Sequence, residues 1–307
     1  MFRPTRLNRH GGRPKTSPPT IAVLTGPHHN ATYDLSCIWG CQMPVQKRPL
    51  CLIEKQVVKS HLIPQAMHDY CRPPAGNPIS ITSELVVETS RQVQDFLLCL
   101  ECEDSLNKGG EDWLLPLLAR IDGRFPFYDL LTKIPPDVEE DGAACYAAAR
   151  NPEIQVAKLV HFAMGVFWKA SVHSWSGRRK NPLIDLGPYG EPIRKFLRGE
   201  TGFPDCMALV VGVLPASRAL ISFSQPYRGS AANWHNFLFY IPGIQFSLCV
   251  GRGVNREQRS VCIASNPLHP ILVTDFSKDV RGVFAGVWKK ARKARNVEKY
   301  LKPTWEN

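Results

Sequence analysis

The ten cysteines are the feature that most limits what this chain can fold into, because four of them fall in two close pairs. Cys37 and Cys41 make a CxxxC step in LSCIWGC, and Cys99 and Cys102 make a CxxC step in LLCLECE. Each step turns two thiolates toward one point. Two steps together can complete a tetrahedral four-cysteine zinc site, which is structural because no position stays open. The other reading of the same residues is four buried small apolar side chains, a common state of free cysteine. The coincidence of two pairs favours zinc. Cys51, Cys71, Cys145, Cys206, Cys249 and Cys262 stand alone in the sequence and are expected to be ordinary packed thiols. The basic N-terminus leads into Pro, Gly, His and Thr rather than an apolar stretch, so no secretory signal is expected. The thiols should then be reduced and the protein cytoplasmic.

The formal net charge of +11 suggests an anionic partner, but it is unevenly spread. Residues 1–20 carry five basic residues and no acid, and residues 278–302 carry nine against Asp279 and Glu298. Between 84 and 141 acids outnumber bases, 14 to five, whereas 142–277 has 14 bases and seven acids, with Arg178, Arg179 and Lys180 adjacent. Contacts to a nucleic-acid backbone are therefore expected from that cluster and from Lys289, Lys290, Arg292, Lys293 and Arg295. With 44% hydrophobic and 21% charged residues, the chain suits a soluble globular protein. Its longest apolar stretch, Leu159 to Trp168, is far short of a membrane span.

Local pattern divides the chain. Residues 1–20 read as a disordered basic arm. Residues 30–135 alternate short extended pieces with Gly/Pro turns, and a helix is expected over Glu111–Ile121. Pro135, Pro136 and the acidic run after them read as a linker over 136–150. A second domain over 151–301 should open with a long buried helix from Pro152 to Trp175, capped by Asn151. A shorter helix from Pro188 to Gly199 follows. Apolar runs at Met207–Leu214, Ala219–Ser224, Phe237–Ile241, Ile244–Val250 and Ile271–Thr274 predict an antiparallel sheet, and Asp279–Leu301 a closing basic helix. His161 and His173, twelve positions apart on the long helix, cannot share a metal and are expected in core or surface roles.

Between the cysteine pairs lies SHLIP at 60–64. A cysteine knuckle, an extended segment ending in His-aliphatic-Ile-Pro and a second CxxC opening a helix together resemble the zinc-stapled HNH endonucleases of the ββα-metal class. The chain is most similar to a bacterial group with SHIIP and LLCxxCE motifs, a WRAS helix and a following LG-P-x-x-E-x-x-R. Here these read SHLIP, LLCLECE at 97–103, WKAS at 168–171 and LGPYGEPIR at 186–194. The resemblance implies an α+β protein: a ββα-metal, treble-clef-like zinc module, then an α+β domain with a long buried helix and an antiparallel sheet.

It also implies a chemistry. His61 would be the general base that takes a proton from water attacking phosphorus, as an imidazole can near neutral pH. A divalent Mg²⁺ or Mn²⁺ would neutralise the charge developing on the phosphate. Ser60 occupies the catalytic position where the family has Asp, His or Glu as metal ligand, and hydroxyl is a poor ligand for a hard cation. Glu103 and Glu111 echo the acids of the bacterial group as ligands, although acids in a first helical turn also complement the helix dipole. The expected function is a metal-dependent endonuclease acting on DNA, with defence against mobile DNA as a setting by analogy. The alternative is a catalytically inactive zinc scaffold that binds DNA or a protein partner, which Ser60 favours. Neither reading involves a membrane.

Overall fold

The computed structural model describes residues 22–24, 45–47, 49–72, 77–81, 86–89, 92–175, 182–229 and 234–282. The first part comprises strands β1 (Ala22–Leu24), β2 (Val45–Lys47), β3 (Glu54–Gln56) and β4 (Val58–His61), helix α1 (Gln65–Tyr70), and strands β5 (Ile79–Ile81), β6 (Val86–Glu88) and β7 (Gln94–Leu98). Strand β7 leads into α2 (Leu100–Leu106), a π turn (Asn107–Glu111) and α3 (Asp112–Leu114), followed by α4 (Pro126–Leu131). Then come β8 (Val138–Glu140), β9 (Ala143–Ala147), α5 (Val156–Val172), α6 (Gly190–Leu197) and β10 (Met207–Val213). The remainder is β11 (Ser222–Ser224), β12 (Tyr227–Arg228), β13 (His235–Ile241), β14 (Ile244–Val250), α7 (Arg256–Ser260) and β15 (Pro270–Val273). The architecture is α+β.

Seven strands form one sheet in the order β12-β13-β14-β10-β15-β9-β8, antiparallel except where β10 and β15 run parallel. A four-stranded sheet has the order β11-β1-β5-β6, while β2–β3 and β4–β7 are separate antiparallel pairs. Residues 136–150, expected as a linker, contain the β8–β9 hairpin instead. Its turn is Asp141-Gly142, both at positive φ (49° and 78°), the geometry that a two-residue hairpin demands and that an Asp-Gly pair supplies. The run containing β11 was expected in the large sheet, but β11 pairs with β1, 200 residues earlier in the chain, at Ala22↔Ser222. The two halves accordingly share one apolar core that runs from Leu50 to Val273.

Helix α5 is the axis of that core. Phe162 and Phe167 pack on Phe239 of the large sheet, with ring centroids 6.2 and 4.9 Å apart, and Phe162 also meets Phe246. The helix begins four residues later than its Asn151–Pro152 signal. Asn151 caps locally instead, accepting from the Glu153 N–H and donating to the Leu130 carbonyl. The flank of α5 that carries Lys158, His161 and Phe162 meets the π turn. A Cβ on Gly110 would come within 2.5 Å of the Lys158 carbonyl oxygen and 2.7 Å of Phe162 Cβ, and one on Gly109 within 2.4 Å of the His161 ring. The two glycines are thus needed for close approach. The helix expected to start at Glu111 starts eleven residues earlier, and the widened turn ends at Glu111. Gly110→Ala should cost about 1–3 kcal/mol, since backbone has to move. Gly109→Ala should cost less, because a side chain can yield. Urea denaturation compares the two, and a neutral Gly110→Ala would refute tight packing there.

Candidate functional site: a cysteine cluster and a histidine-bearing hairpin

Cys99 is the N-cap of α2 and Cys102 lies in its first turn, so both thiols face the turn between β2 and β3. That turn carries Cys51. The sulfurs of Cys51, Cys99 and Cys102 lie within 4.8 Å of one another, with Cys99 and Cys102 buried and Cys51 half-buried. Tetrahedral zinc thiolates sit about 3.8 Å apart for Zn–S bonds of about 2.3 Å, so a small closure would bring this set to bonding geometry. The cluster could hold a metal ion. Burial, then hydrogen bonds to the neighbouring Cys99 and Cys51, push the Cys102 thiol up from its ordinary value. Beside the cluster, bonds from the Cys99 thiol, from its own backbone N–H and from Lys55 hold the Glu101 carboxyl at about 2. Leu52, which follows Cys51, takes φ 60°, and Leu52, Ile53 and Leu100 are exposed around the cluster.

Cys51 was expected to be an ordinary packed thiol. It joins the cluster because the β2–β3 turn, rather than sequence spacing, sets its neighbours. Cys37 and Cys41 lie outside the described residues, as do Arg178, Arg179, Lys180, Lys289, Lys290, Arg292, Lys293 and Arg295.

Two basic side chains from the second half grip backbone of the first. Arg194, from the LGPYGEPIR motif, is 7% exposed and donates to the Leu50 carbonyl at 3.0 Å, one residue before Cys51. Its remaining donors pair with Glu191 and Glu200 at 2.9–3.1 Å, which raises the guanidinium's already high pKa. Lys169, from WKAS, is 2% exposed and donates to the His61 carbonyl at 2.8 Å and to Glu111 Oε1 at 3.2 Å. The π turn is what delivers Glu111 to this ammonium. The motifs alone give neither residue a role, and both are clamps.

The cysteines occupy one end of the β4–β7 pair, and His61 closes the other. Ser60, facing Asp95, is fully buried, and its hydroxyl accepts the Leu98 N–H at 3.2 Å. That N–H is freed by the register shift between Val58 and Lys59. His61, opposite Gln94, is half-buried, and its ring has no hydrogen bond among the described residues. Asp95 bonds the His173 ring through Nε2 at 2.9 Å. Trp175 packs edge-on against that ring at 5.1 Å and donates its indole N–H to the Lys169 carbonyl. Sequence reasoning missed Asp95 and His173 because 78 residues separate them. Of the two expected carboxylates, Glu111 is paired with Lys169. Glu103 keeps Oε2 buried with no hydrogen-bond partner among the described residues.

No protein-family model, curated protein or solved structure matches this chain. What the geometry itself defines is an α+β protein with a three-cysteine cluster able to hold a metal ion. No helix among the described residues is long and apolar enough to cross a membrane.

Proposed function

We propose that the protein is a zinc-stapled, HNH-like endonuclease that hydrolyses phosphodiester bonds of DNA, with His61 as general base. The observation that carries this reading is the order strand–strand–helix, with clustered cysteines where β7 enters α2 and, at the far end of the pair, an imidazole that makes no hydrogen bond among the described residues. In this reading zinc is held by Cys51, Cys99 and Cys102, with Cys37 or Cys41 closing the tetrahedron, and serves to fix the hairpin on the helix.

The donors differ in how well they suit a hard divalent cation. Glu103 fits, since a buried carboxylate oxygen without a partner is costly unless an ion or water satisfies it. Glu111 fits less well, being already neutralised by Lys169, and the Ser60 hydroxyl is committed to Leu98. Glu103 would hold Mg²⁺ or Mn²⁺, which would supply charge neutralisation at the phosphate. The chain's own part is proton transfer and placement. His61 takes the proton of the attacking water, and Lys169 holds the His61 backbone so that the ring keeps its position. The acidic segment 84–141 leaves polyanion binding to Arg178, Arg179, Lys180 and the basic ends. Defence against mobile DNA would be a setting for such an activity.

Nicking of supercoiled plasmid with Mg²⁺ or Mn²⁺ tests the reading. His61→Ala should lose about 10²–10⁴-fold in rate with stability unchanged. Equal rates in both proteins, or none in wild type, would sink it. The commitments of Ser60 and Glu111 favour a second reading, a non-catalytic zinc scaffold that binds DNA or protein. Salt-sensitive DNA binding without nicking is the result it expects.

A further inference from the structure

We propose that the cavity between α1 and the loop joining α3 to α4 binds one nucleotide of a single-stranded nucleic acid, with three arginines on its phosphate and the adjoining hollow for its base. The site does not depend on His61 being catalytic. The cavity has a volume of about 310 Å³ and is lined by Arg72, Arg120 and Arg124 together with Asp69, Tyr70 and Asp122. It is an exception within an acid-rich stretch. Arg120 and Arg124 are two of the five bases between 84 and 141, and the fold brings Arg72 to them from just past the end of α1. Three guanidiniums against two carboxylates leave one positive charge in excess, which one phosphate neutralises.

Arg120 is held in place by the protein itself. Its guanidinium lies 3.5 Å from the centroid of the Tyr70 ring and donates from Nη2 to the Pro116 and Leu115 carbonyls at 3.1 and 3.4 Å. Alone of the three arginines it has no carboxylate partner among the described residues, and its Nε and Nη1 hydrogens are unbonded there. The loop that carries it is anchored too. The Ala119 N–H donates to the Pro242 carbonyl in the β13–β14 turn, the Arg120 N–H donates to the Arg124 carbonyl, and Phe125 is buried in the core. Arg72 and Arg124 are exposed and pair with near neighbours in the chain, Asp69 at 3.0 Å and Asp122 at 2.6 Å. Exposed pairs of this kind are weak, so either guanidinium can turn to a phosphate.

Arginines alone would accept any oxyanion, and the adjoining hollow is what favours a nucleotide. It has a volume of about 600 Å³ and shares Pro126 with the first cavity, while the consecutive residues Pro116 and Leu117 line one each. Its walls include Trp113, Leu117 and Leu130, with Asp129 and the Lys133–Glu153 ion pair (2.6 Å) also lining it. The half-buried Trp113 ring is braced edge-on by Phe127, with centroids 6.2 Å apart. An aromatic wall beside a phosphate site suits an unpaired base, which can stack on it, whereas a base in a duplex is already stacked on its neighbours.

The test is fluorescence anisotropy of a labelled single-stranded oligonucleotide of about six nucleotides, read without Mg²⁺ or Mn²⁺ so that binding is measured apart from cleavage. Arg72→Gln and Arg124→Gln, at exposed positions, should each weaken binding about 3–10-fold with thermal stability unchanged, and should flatten the dependence of log Kd on log salt by about 0.7, the share of one phosphate. Asp122→Asn should tighten binding about 2–5-fold by releasing Arg124, a gain that a purely structural ion pair would not give. Trp113→Leu should weaken the single strand about tenfold and leave a duplex of the same sequence unaffected. No binding by wild type, unchanged affinity in both arginine variants, or equal losses on single strand and duplex in Trp113→Leu overturns the site. A free nucleoside monophosphate that displaces the label as well, mole for mole, as the unlabelled strand does overturns its assignment to a strand.

Discussion

If the cluster holds zinc, as proposed, replacing Cys51, Cys99 or Cys102 with Ala should each take metal content from about one ion per chain to none, and should unfold the hairpin and helix that meet at the cluster. The magnitude follows from the size of the terms. Structural zinc contributes on the order of 10 kcal/mol or more of apparent binding energy, as large as the whole stability of a typical domain. Apart from the cysteines, the Arg194 bond to the Leu50 carbonyl and the burial of Leu50 hold the β2–β3 turn. Elemental analysis with thermal melting is the measurement. Cys206→Ser, at a half-buried thiol outside the cluster, is the control and should keep its metal. Stoichiometric zinc in Cys51→Ala with an unchanged melting temperature would remove Cys51 from the site. Cys37→Ala and Cys41→Ala then identify the fourth ligand, because only the one that binds should lower zinc affinity.

The second large effect is expected at Lys169. Its ammonium is almost completely buried between the His61 carbonyl and the Glu111 carboxylate, which is itself only 14% exposed. Lys169→Met keeps the shape of the side chain but leaves a buried carboxylate and a carbonyl without their donor, and should cost about 3–5 kcal/mol. Glu111→Leu should also be destabilising, by stranding the ammonium. The double variant should recover part of the loss, with a coupling of about 1–3 kcal/mol between the positions. Urea denaturation of the four proteins gives the cycle. Strictly additive losses would show that the pair is not interacting. Because Lys169 holds the backbone of His61, the same variant should also depress DNA nicking beyond what stability explains, if His61 is the base.

Much of the secondary structure was readable because it is written in local periodicity. The strands expected near 207–214, 237–241, 244–250 and 271–274 are β10, β13, β14 and β15, within a few residues. The all-round apolar run after Val156 is the buried helix it promised to be. The acidic run after Pro136 misled because its charge drew attention from Asp141-Gly142, the one local signal that distinguishes a hairpin turn from a linker. The π turn had its own signal in Gly109-Gly110, but glycines do not say which helix will approach them.

The site divides in the same way. The sequence by itself determined that Cys99 and Cys102 would face one point, since the CxxC step at a helix start fixes their geometry over three residues. It also determined that His61 would end a strand at a Pro-bounded turn. Only the tertiary structure decided that Cys51 joins them, that Lys169 and Arg194 are clamps on the His61 and Leu50 carbonyls, and that Asp95 meets His173. These contacts span 48 to 144 residues and depend on α5 and α6 packing against the first half of the chain. Short-range chemistry is encoded in spacing. A long-range ligand set is encoded only in how the shared core closes.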